Sequence, residues 1–100
     1  MKRRFNKAHR VWRDKVLTRD SHKCVVCGKG PKYLNAHHLI PSEFVEFAFD
    51  VSNGITLCPH HHTLGKLSAH KHPLWFSEWL AFHRPKMYLK AMERIDDDKI

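Results

Sequence analysis

This sequence of 100 residues has few cysteines and no long hydrophobic run, and each scarcity excludes a class of protein. Its three cysteines are Cys24, Cys27 and Cys58. An odd number without a recognisable export signal argues against a disulfide framework and for thiolate chemistry. No run of about 18 apolar residues occurs, so we expect no membrane span. The basic N-terminus is not followed by the apolar segment of a secretory signal, so we expect a cytoplasmic protein.

Acidic residues are scarce in the first third of the chain. Residues 1–32 contain eleven Lys or Arg but only two Asp, a net charge of +9, whereas the other 68 residues carry seven basic and eight acidic side chains. A basic segment this concentrated favours a polyanionic partner, above all nucleic acid. A solvated segment that keeps the protein soluble is the alternative.

The apolar content is sufficient for one folded domain. Hydrophobic residues make up 42% of the chain and aromatic residues 11%, which is typical of a globular protein. A chain of this length buries a modest core, so a bound metal would add usefully to its stability. We expect a single domain over residues 1–100, with a motif core at 12–66, C-terminal helices at 73–95 and an acidic tail at 96–100.

Hydrophobic spacing and prolines predict several helices. Residues 5–19 place apolar side chains on one helical face, namely Phe5, Ala8, Trp12 and Val16. Pro59 fits the first turn of a helix that runs to about Lys66. Pro73 and Pro85 bracket a further, largely buried helix. A last helix is predicted from the helical spacing of Tyr88, Ala91, Met92 and Ile95. We expect the aromatic residues of these C-terminal helices to form a core rather than a platform that stacks on bases.

The middle of the chain predicts short strands and turns. Residues 33–40 favour one strand and residues 55–57 a second, separated by a turn signal at Asn53 and Gly54. Residues 42–50 fit either a short helix or an ordered loop. The combination of helices with a small sheet predicts an α+β protein.

Two pairs of potential metal ligands share one spacing. Two residues separate Cys24 from Cys27, and two also separate Cys58 from His61. Thiolates with an imidazole favour tetrahedral Zn²⁺, with each pair supplied by one tight turn. The sequence therefore predicts a structural zinc site of these four residues, and the gap selects His61 over the histidines on either side. Ordinary buried thiols are the alternative, but they leave the paired spacing unexplained.

Three further histidines need a role once the zinc ligands are assigned. His37 and His38 are adjacent on a predicted strand, so their rings should point to opposite faces, and one could bind a metal while the other activates water. His62 follows a proposed zinc ligand at a helix start, which would fix its position. A structural role in the core is the alternative for His37 or His38. We expect a polar loop around His70 and His72, with a contact to DNA or a metal as the alternative, and assign no function to His9, His22 and His83.

The order and spacing of these residues resemble the HNH endonuclease family, the zinc-containing branch of the ββα-metal (His-Me finger) nucleases. The matching segments are Arg19-Asp20-x-x-x-Cys24-x-x-Cys27-Gly28, Ala36-His37-His38-Leu39-Ile40-Pro41 and Asp50-x-x-Asn53-Gly54-Ile55-x-Leu57-Cys58-x-x-His61-His62. The resemblance covers about residues 12–66. It implies a two-stranded antiparallel hairpin and a following helix that hold a metal between them. A zinc-ribbon-like structural site and flanking N- and C-terminal helices would complete this fold.

The resemblance also implies a mechanism. His38 would be the general base that takes a proton from the attacking water, and His37 and His62 would hold one divalent cation at the scissile phosphate. Asn53 would brace the loop and orient His38, although the equivalent residue binds the metal in some relatives. The products would carry 5′-phosphate and 3′-hydroxyl ends. An imidazole with an ordinary pKa of about 6.5 suits a base at neutral pH.

Two departures from the usual family pattern concern the metals. The first metal ligand is often Asp in this branch, and here it is His37, as in the bacterial DNase toxins that share the finger. Without a carboxylate ligand the site should hold Mg²⁺ weakly, and Mn²⁺, Ni²⁺, Co²⁺ or Zn²⁺ more readily. His61 replaces the common fourth cysteine, which should make zinc binding more sensitive to acid.

The resemblance makes double-stranded DNA the expected partner, in the cytoplasm of a bacterium or of a phage-infected host. The basic N-terminal region would bind phosphates non-specifically through Arg10, Arg13 and Arg19, and Lys66 is either a phosphate contact or a surface lysine. Sequence specificity is either low or supplied by the C-terminal helices or a protein partner. The competing hypotheses are a non-catalytic zinc-ribbon module that binds nucleic acid and a protein that acts on RNA.

Overall fold

The chain folds as a small α+β protein, and the computed structural model describes residues 2–30 and 32–96, with side chains from residue 7 onward. It divides into two units, residues 1–59 and residues 60–100. The first contains a long helix and a two-stranded sheet, and the second contains two α-helices and a π-helix. None of the helices in the described ranges combines the length and apolar character that a membrane crossing needs.

The expected N-terminal helix is confirmed as α1, Lys2–Arg19, and begins earlier than its apolar pattern predicted. Trp12 and Val16 are buried as expected, and Leu17 joins them in the core. Ala8 is exposed, so its assignment to the buried face was wrong, and the side chain of Phe5 lies outside the described residues. The helix ends where Ser21 and His22 take left-handed backbone angles, with φ of 58° and 54°.

Two short antiparallel strands form the sheet, β1 at Asn35–His38 and β2 at Gly54–Leu57. Their register pairs His37 with Ile55 and His38 with Gly54. The predicted first strand was too long at both ends. Tyr33 has a φ of 60°, which is incompatible with a strand, and beyond His38 the backbone N–H of Leu39 donates to the carbonyl of Asn53.

Gly54 lets α1 approach the sheet closely. A Cβ atom at position 54 would lie 2.5 Å from Cζ2 of Trp12 and 2.6 Å from Cγ2 of Val16. The backbone of Gly54 is extended, with a φ of −134°, so the turn signal reflects this close contact rather than a left-handed turn residue. Only a residue without a side chain fits under the indole.

An ion pair at the end of α1 ties the helix to the sheet. The guanidinium of Arg19 contacts both carboxylate oxygens of Asp20, at 2.9 and 2.8 Å, and also donates to the carbonyls of Val51 and Gly54. Oδ2 of Asp20 in turn accepts from the backbone N–H of Thr56 at 3.0 Å. This network accounts for the Arg19-Asp20 pair without invoking a ligand.

An ordered loop rather than a helix occupies residues 42–50. Successive turns connect Phe44 to Pro41, Phe47 to Phe44 and Asp50 to Phe47 by backbone hydrogen bonds of 3.0–3.2 Å. A single 3-10 turn, Val51–Asn53, follows and leads into β2; the Asp50 side chain caps it by accepting from Ser52 N at 2.9 Å. The loop therefore returns the chain from the end of β1 to the start of β2.

The helix predicted from Pro59 to Lys66 was wrong in length and type. The structure has a five-residue π-helix, His60–Leu64, closed by a hydrogen bond of 2.8 Å from Gly65 N to the carbonyl of His60. A side chain at Gly65 would collide with the His60 ring, whose nearest atoms lie 2.6 Å from the position of a Cβ. The chain then continues through residues 65–72 without a regular helix.

Two α-helices complete the second unit, α2 at Pro73–His83 and α3 at Pro85–Asp96. The prolines begin both helices, as expected, and Nδ1 of His72 caps α2 by accepting from Trp75 N at 3.3 Å. The expectation that α2 is largely buried was wrong: only Phe76 and Leu80 are buried. The exposed apolar residues of the two helices include Leu74, Phe82 and Leu89. Of the predicted acidic tail, residues 97–100 lie outside the described ranges.

Candidate metal centres and catalytic histidines

A tight turn after α1 presents the first two thiols. Gly28 N donates to the carbonyl of Cys24 at 2.8 Å, and Gly28 itself has a φ of 77°, a backbone angle that glycine adopts without strain. Cys24 N in turn donates to the carbonyl of Lys29 at 2.8 Å. Cys58 follows the last residue of β2 directly. The sheet therefore carries the third thiol to the turn that carries the first two.

The sulfur atoms of the three cysteines predicted to bind zinc are close enough to share one cation. Within the first unit, the Sγ atoms of Cys24, Cys27 and Cys58 all lie within 4.8 Å of one another. Sγ of Cys27 and Sγ of Cys58 are 3.8 Å apart, and two thiolates on a tetrahedral zinc at about 2.3 Å are separated by about 3.8 Å. These three thiols could bind a structural zinc ion, and His61 stays the predicted fourth ligand.

Local hydrogen bonds favour the thiolate form of Cys24. Burial raises the pKa of this thiol, but hydrogen bonds from the backbone N–H groups of Cys27, Cys58 and Val26 outweigh burial, so the net pKa is lowered. Burial raises the pKa of Cys27, and its thiol neighbours add to the effect. Neighbouring thiolates repel each other, and a bound cation would offset this repulsion because its positive charge stabilises several thiolates together.

His38 is held by contacts to two different parts of the first unit. Its Nε2 atom lies 2.8 Å from the carbonyl oxygen of Ala48. A carbonyl only accepts, so this contact places the proton on Nε2 and leaves the lone pair of the neutral ring on Nδ1. Its ring also stacks on Trp12, with centroids 4.0 Å apart and planes 8° from parallel. Burial lowers the pKa of His38, and the nearby charge of His9 lowers it further, although the Ala48 carbonyl opposes both.

Asn53 joins the two ends of the loop that carries Ala48. Its Oδ1 accepts from the backbone N–H of Ile40 at 2.8 Å, and its Nδ2 donates to the carbonyls of Ile40 at 2.9 Å and Phe47 at 3.2 Å. The side chain is 1% exposed. Asn53 therefore braces the loop through both halves of its amide.

His62 and His70 face each other through their ring nitrogens. Their Nε2 atoms are 3.2 Å apart. Burial lowers the pKa of His62, and the nearby His70 lowers it further, which favours the neutral imidazole that binds metals. His37 lies on β1 in the first unit, and its participation in the same ligand group stays a prediction.

His70 is the candidate that sequence reasoning placed second, behind a role in a polar loop. The pattern favoured a polar loop there, because His70 lies eight residues after His62 and no family segment includes it. The irregular path of residues 65–72 returns the chain: Ala69 N donates to the carbonyl of His61, and His70 N to that of His62. A dense run of histidines was the only sequence signal. His72, by contrast, caps α2.

The residues predicted to contact nucleic acid have different surroundings. Arg10 and Lys66 are exposed. Arg13 donates to the carbonyl of Leu34 at 3.0 Å and lies 3.9 Å from the Asp14 carboxylate. Arg19 belongs to the structural network with Asp20. The role of all four in nucleic-acid binding stays a prediction.

A cleft of about 440 Å³ lies beside His38 within the first unit. It is lined by His9, His38, Pro41, Ser42, Glu43, Val45, Ala48 and Phe49. His38, the half-buried candidate for the general base, therefore borders a cleft through which a small molecule could reach its ring. His9, which the sequence left without a role, belongs to this wall, and its ring centroid is 6.0 Å from that of His38.

Comparison with known proteins agrees with the spacing of these residues. Residues 24–64 match the HNH endonuclease family. A curated relative, anaredoxin from Nostoc sp. (strain PCC 7120 / SAG 25.82 / UTEX 2576), is 40% identical over 55 residues, which cover 55% of this chain and 71% of the relative. No solved structure showed a significant match. The chain belongs to the HNH endonuclease family, whose nucleases act on nucleic acids.

Proposed function

We propose that this protein is a metal-dependent endonuclease that hydrolyses DNA phosphodiester bonds, leaving 5′-phosphate and 3′-hydroxyl ends. The proposal takes residues 1–100 as one nuclease domain of the ββα-metal type. The observation that carries it is the pair of facing imidazoles of His62 and His70, whose Nε2 atoms are 3.2 Å apart; His37 is proposed as a further ligand. His38, which follows His37 directly in the chain, is the base candidate. The name of the curated relative does not describe a nuclease, so catalysis rests on these residues.

His38 has the properties of a general base. The Ala48 carbonyl keeps the proton on Nε2, so Nδ1 is the atom that would accept a proton from the attacking water. Its lowered pKa keeps the ring neutral at neutral pH, which is the form that can accept that proton. Asn53 supports this arrangement because it fixes the loop that carries Ala48.

The facing imidazoles of His62 and His70 fit a divalent cation, with His37 proposed as a further ligand. Two nitrogens that bind one metal at about 2.1 Å are separated by about 3.0–3.4 Å, depending on the coordination angle, and the Nε2 atoms of His62 and His70 are 3.2 Å apart. A cation held there would stabilise negative charge on the scissile phosphate and on the leaving 3′ oxygen. The all-imidazole ligand set favours Mn²⁺, Co²⁺, Ni²⁺ or Zn²⁺ over Mg²⁺.

Double-stranded DNA is the proposed substrate, and the charge distribution supports a nucleic-acid partner. The described basic side chains of α1 include Lys7, Arg10 and Lys15, which are exposed and accessible to a phosphate backbone. Contacts of this kind position a nuclease without selecting a sequence. Specificity is therefore low, or it comes from α2 and α3 or from a protein partner.

Substitution of the base tests the proposal. His38→Ala should lower metal-dependent nicking of a supercoiled plasmid by about 10²–10⁴-fold, with zinc content and DNA affinity unchanged. His83→Ala is the matched control, because His83 is an exposed histidine outside both ligand groups. The assay should include Mn²⁺, Mg²⁺, Ni²⁺ and Co²⁺.

The same assay separates the alternatives. If the wild-type protein binds DNA but nicks it with none of these metals, the protein is a non-catalytic zinc-ribbon module and the proposal is wrong. Cleavage of single-stranded or structured RNA in preference to the plasmid would assign RNA as the substrate. Equal activity of wild type and His38→Ala would remove His38 from the mechanism.

A further inference from the structure

The general base candidate lies flat against a buried tryptophan of α1. The rings of Trp12 and His38 are 4.0 Å apart and 8° from parallel. Trp12 is 1% exposed. Partial burial of His38 therefore comes in part from the indole face, which covers one side of the imidazole.

The indole cannot easily move away from this position. Its Nε1–H donates to the carbonyl of Asp50 at 2.8 Å. Its six-membered ring packs against Gly54, where even a methyl group would approach Cζ2 to 2.5 Å. A hydrogen bond at one edge and backbone at the other thus fix Trp12, and through the stack they fix the plane of the imidazole.

The two restraints on His38 act in different directions. The contact from Nε2 to the Ala48 carbonyl holds one atom of the ring but leaves the ring free to rotate about that axis. The stack on Trp12 removes this rotation. Both restraints lead back to one loop, because Ala48 and Asp50 are two residues apart.

We propose that Trp12 is the positioning residue for the general base: its indole sets the plane of the His38 ring and so the direction of Nδ1. This inference rests on the proposed function, since it concerns the same base. It assigns to α1 a second role beside DNA binding. A general base whose lone pair points away from the attacking water lowers the catalytic rate, whereas the affinity for the substrate is unchanged.

Kinetics of Trp12 variants test this role. Trp12→Leu should lower kcat by about 10–100-fold, with KM changed by less than about threefold. Trp12→Phe keeps an aromatic face and should recover most of kcat. Leu17→Ala is the matched control, because Leu17 is a buried residue of the same helix that is not in ring contact with His38. It should lose stability and keep kcat.

Each outcome decides a different claim. Wild-type kcat in folded, zinc-loaded Trp12→Leu, or an equal loss in Leu17→Ala, overturns the role of Trp12 only. No cleavage by the wild-type protein overturns the proposed function itself. If Trp12→Leu does not fold, NMR of the wild type decides: stacking predicts that the His38 ring protons, assigned with His38→Ala, resonate upfield of the positions of an unstacked histidine. Ordinary positions for these protons would contradict the stack.

Discussion

Replacement of Asn53 by alanine should be among the most destabilising changes in the first unit. The amide of Asn53 makes three hydrogen bonds, two with the backbone of Ile40 and one with the carbonyl of Phe47. Ile40 is 2% exposed, so water cannot replace the lost partners there. The N–H and the carbonyl of Ile40 would both become buried and unsatisfied.

The size of the effect follows from these two groups. A buried polar group without a partner costs about 1–3 kcal/mol, and Phe47 is only half-buried, so its carbonyl can turn to water. We expect Asn53→Ala to lower the free energy of unfolding by about 3–5 kcal/mol. This is a large share of the roughly 5–15 kcal/mol that keeps a domain folded.

Urea unfolding of the zinc-loaded protein measures this change. Asn35→Ala is the matched control, because the Asn35 amide makes an exposed hydrogen bond of 3.3 Å to the carbonyl of Tyr33. It should cost less than about 1 kcal/mol. The argument is refuted if Asn53→Ala unfolds at the same urea concentration as Asn35→Ala with an unchanged denaturant slope.

Three further changes test other parts of the account. Gly54→Ala should cost about 1–3 kcal/mol in urea unfolding by overpacking against Trp12; wild-type stability would contradict the close approach. Removal of zinc by a strong chelator should abolish cooperative thermal unfolding, since structural zinc contributes on the order of 10 kcal/mol; an unchanged melt would exclude this role. The lowered pKa of His38 predicts that kcat rises with pH through that pKa and levels off above it. Its neutral ring also stabilises the fold fully above the ordinary pKa, and this contribution is lost as pH falls towards the lowered pKa. A kcat that declines over the same rise in pH would contradict the assignment.

The ligand pairs could be predicted from sequence because their geometry is local. Two residues between Cys24 and Cys27 bring two thiols into one turn, and the same gap after Cys58 selects His61. The family pattern then supplied the pairing of distant segments. Residues close together in sequence thus carried most of the predictable part of the site.

What the sequence did not predict depends on contacts between distant segments. The stack of Trp12 on His38 joins α1 to β1 across 26 positions, and no periodicity indicates it. Arg19 was predicted to bind phosphate because its charge is visible in the sequence, whereas its carbonyl partners at Val51 and Gly54 are not. His70 was interpreted first as part of a polar loop, and its position opposite His62 depends on the irregular path of residues 65–72, which no sequence pattern indicates.

The central claim is that one cation maintains the fold and a second, more weakly held one serves catalysis. The most direct measurement is plasmid nicking by zinc-loaded protein after brief treatment with a mild chelator, with metal content followed in parallel. We predict that nicking stops while about one zinc per chain and the folded state remain, and that added Mn²⁺ restores nicking. Nicking that persists without an added cation, or that fails to return with Mn²⁺ in the folded protein, would contradict the account.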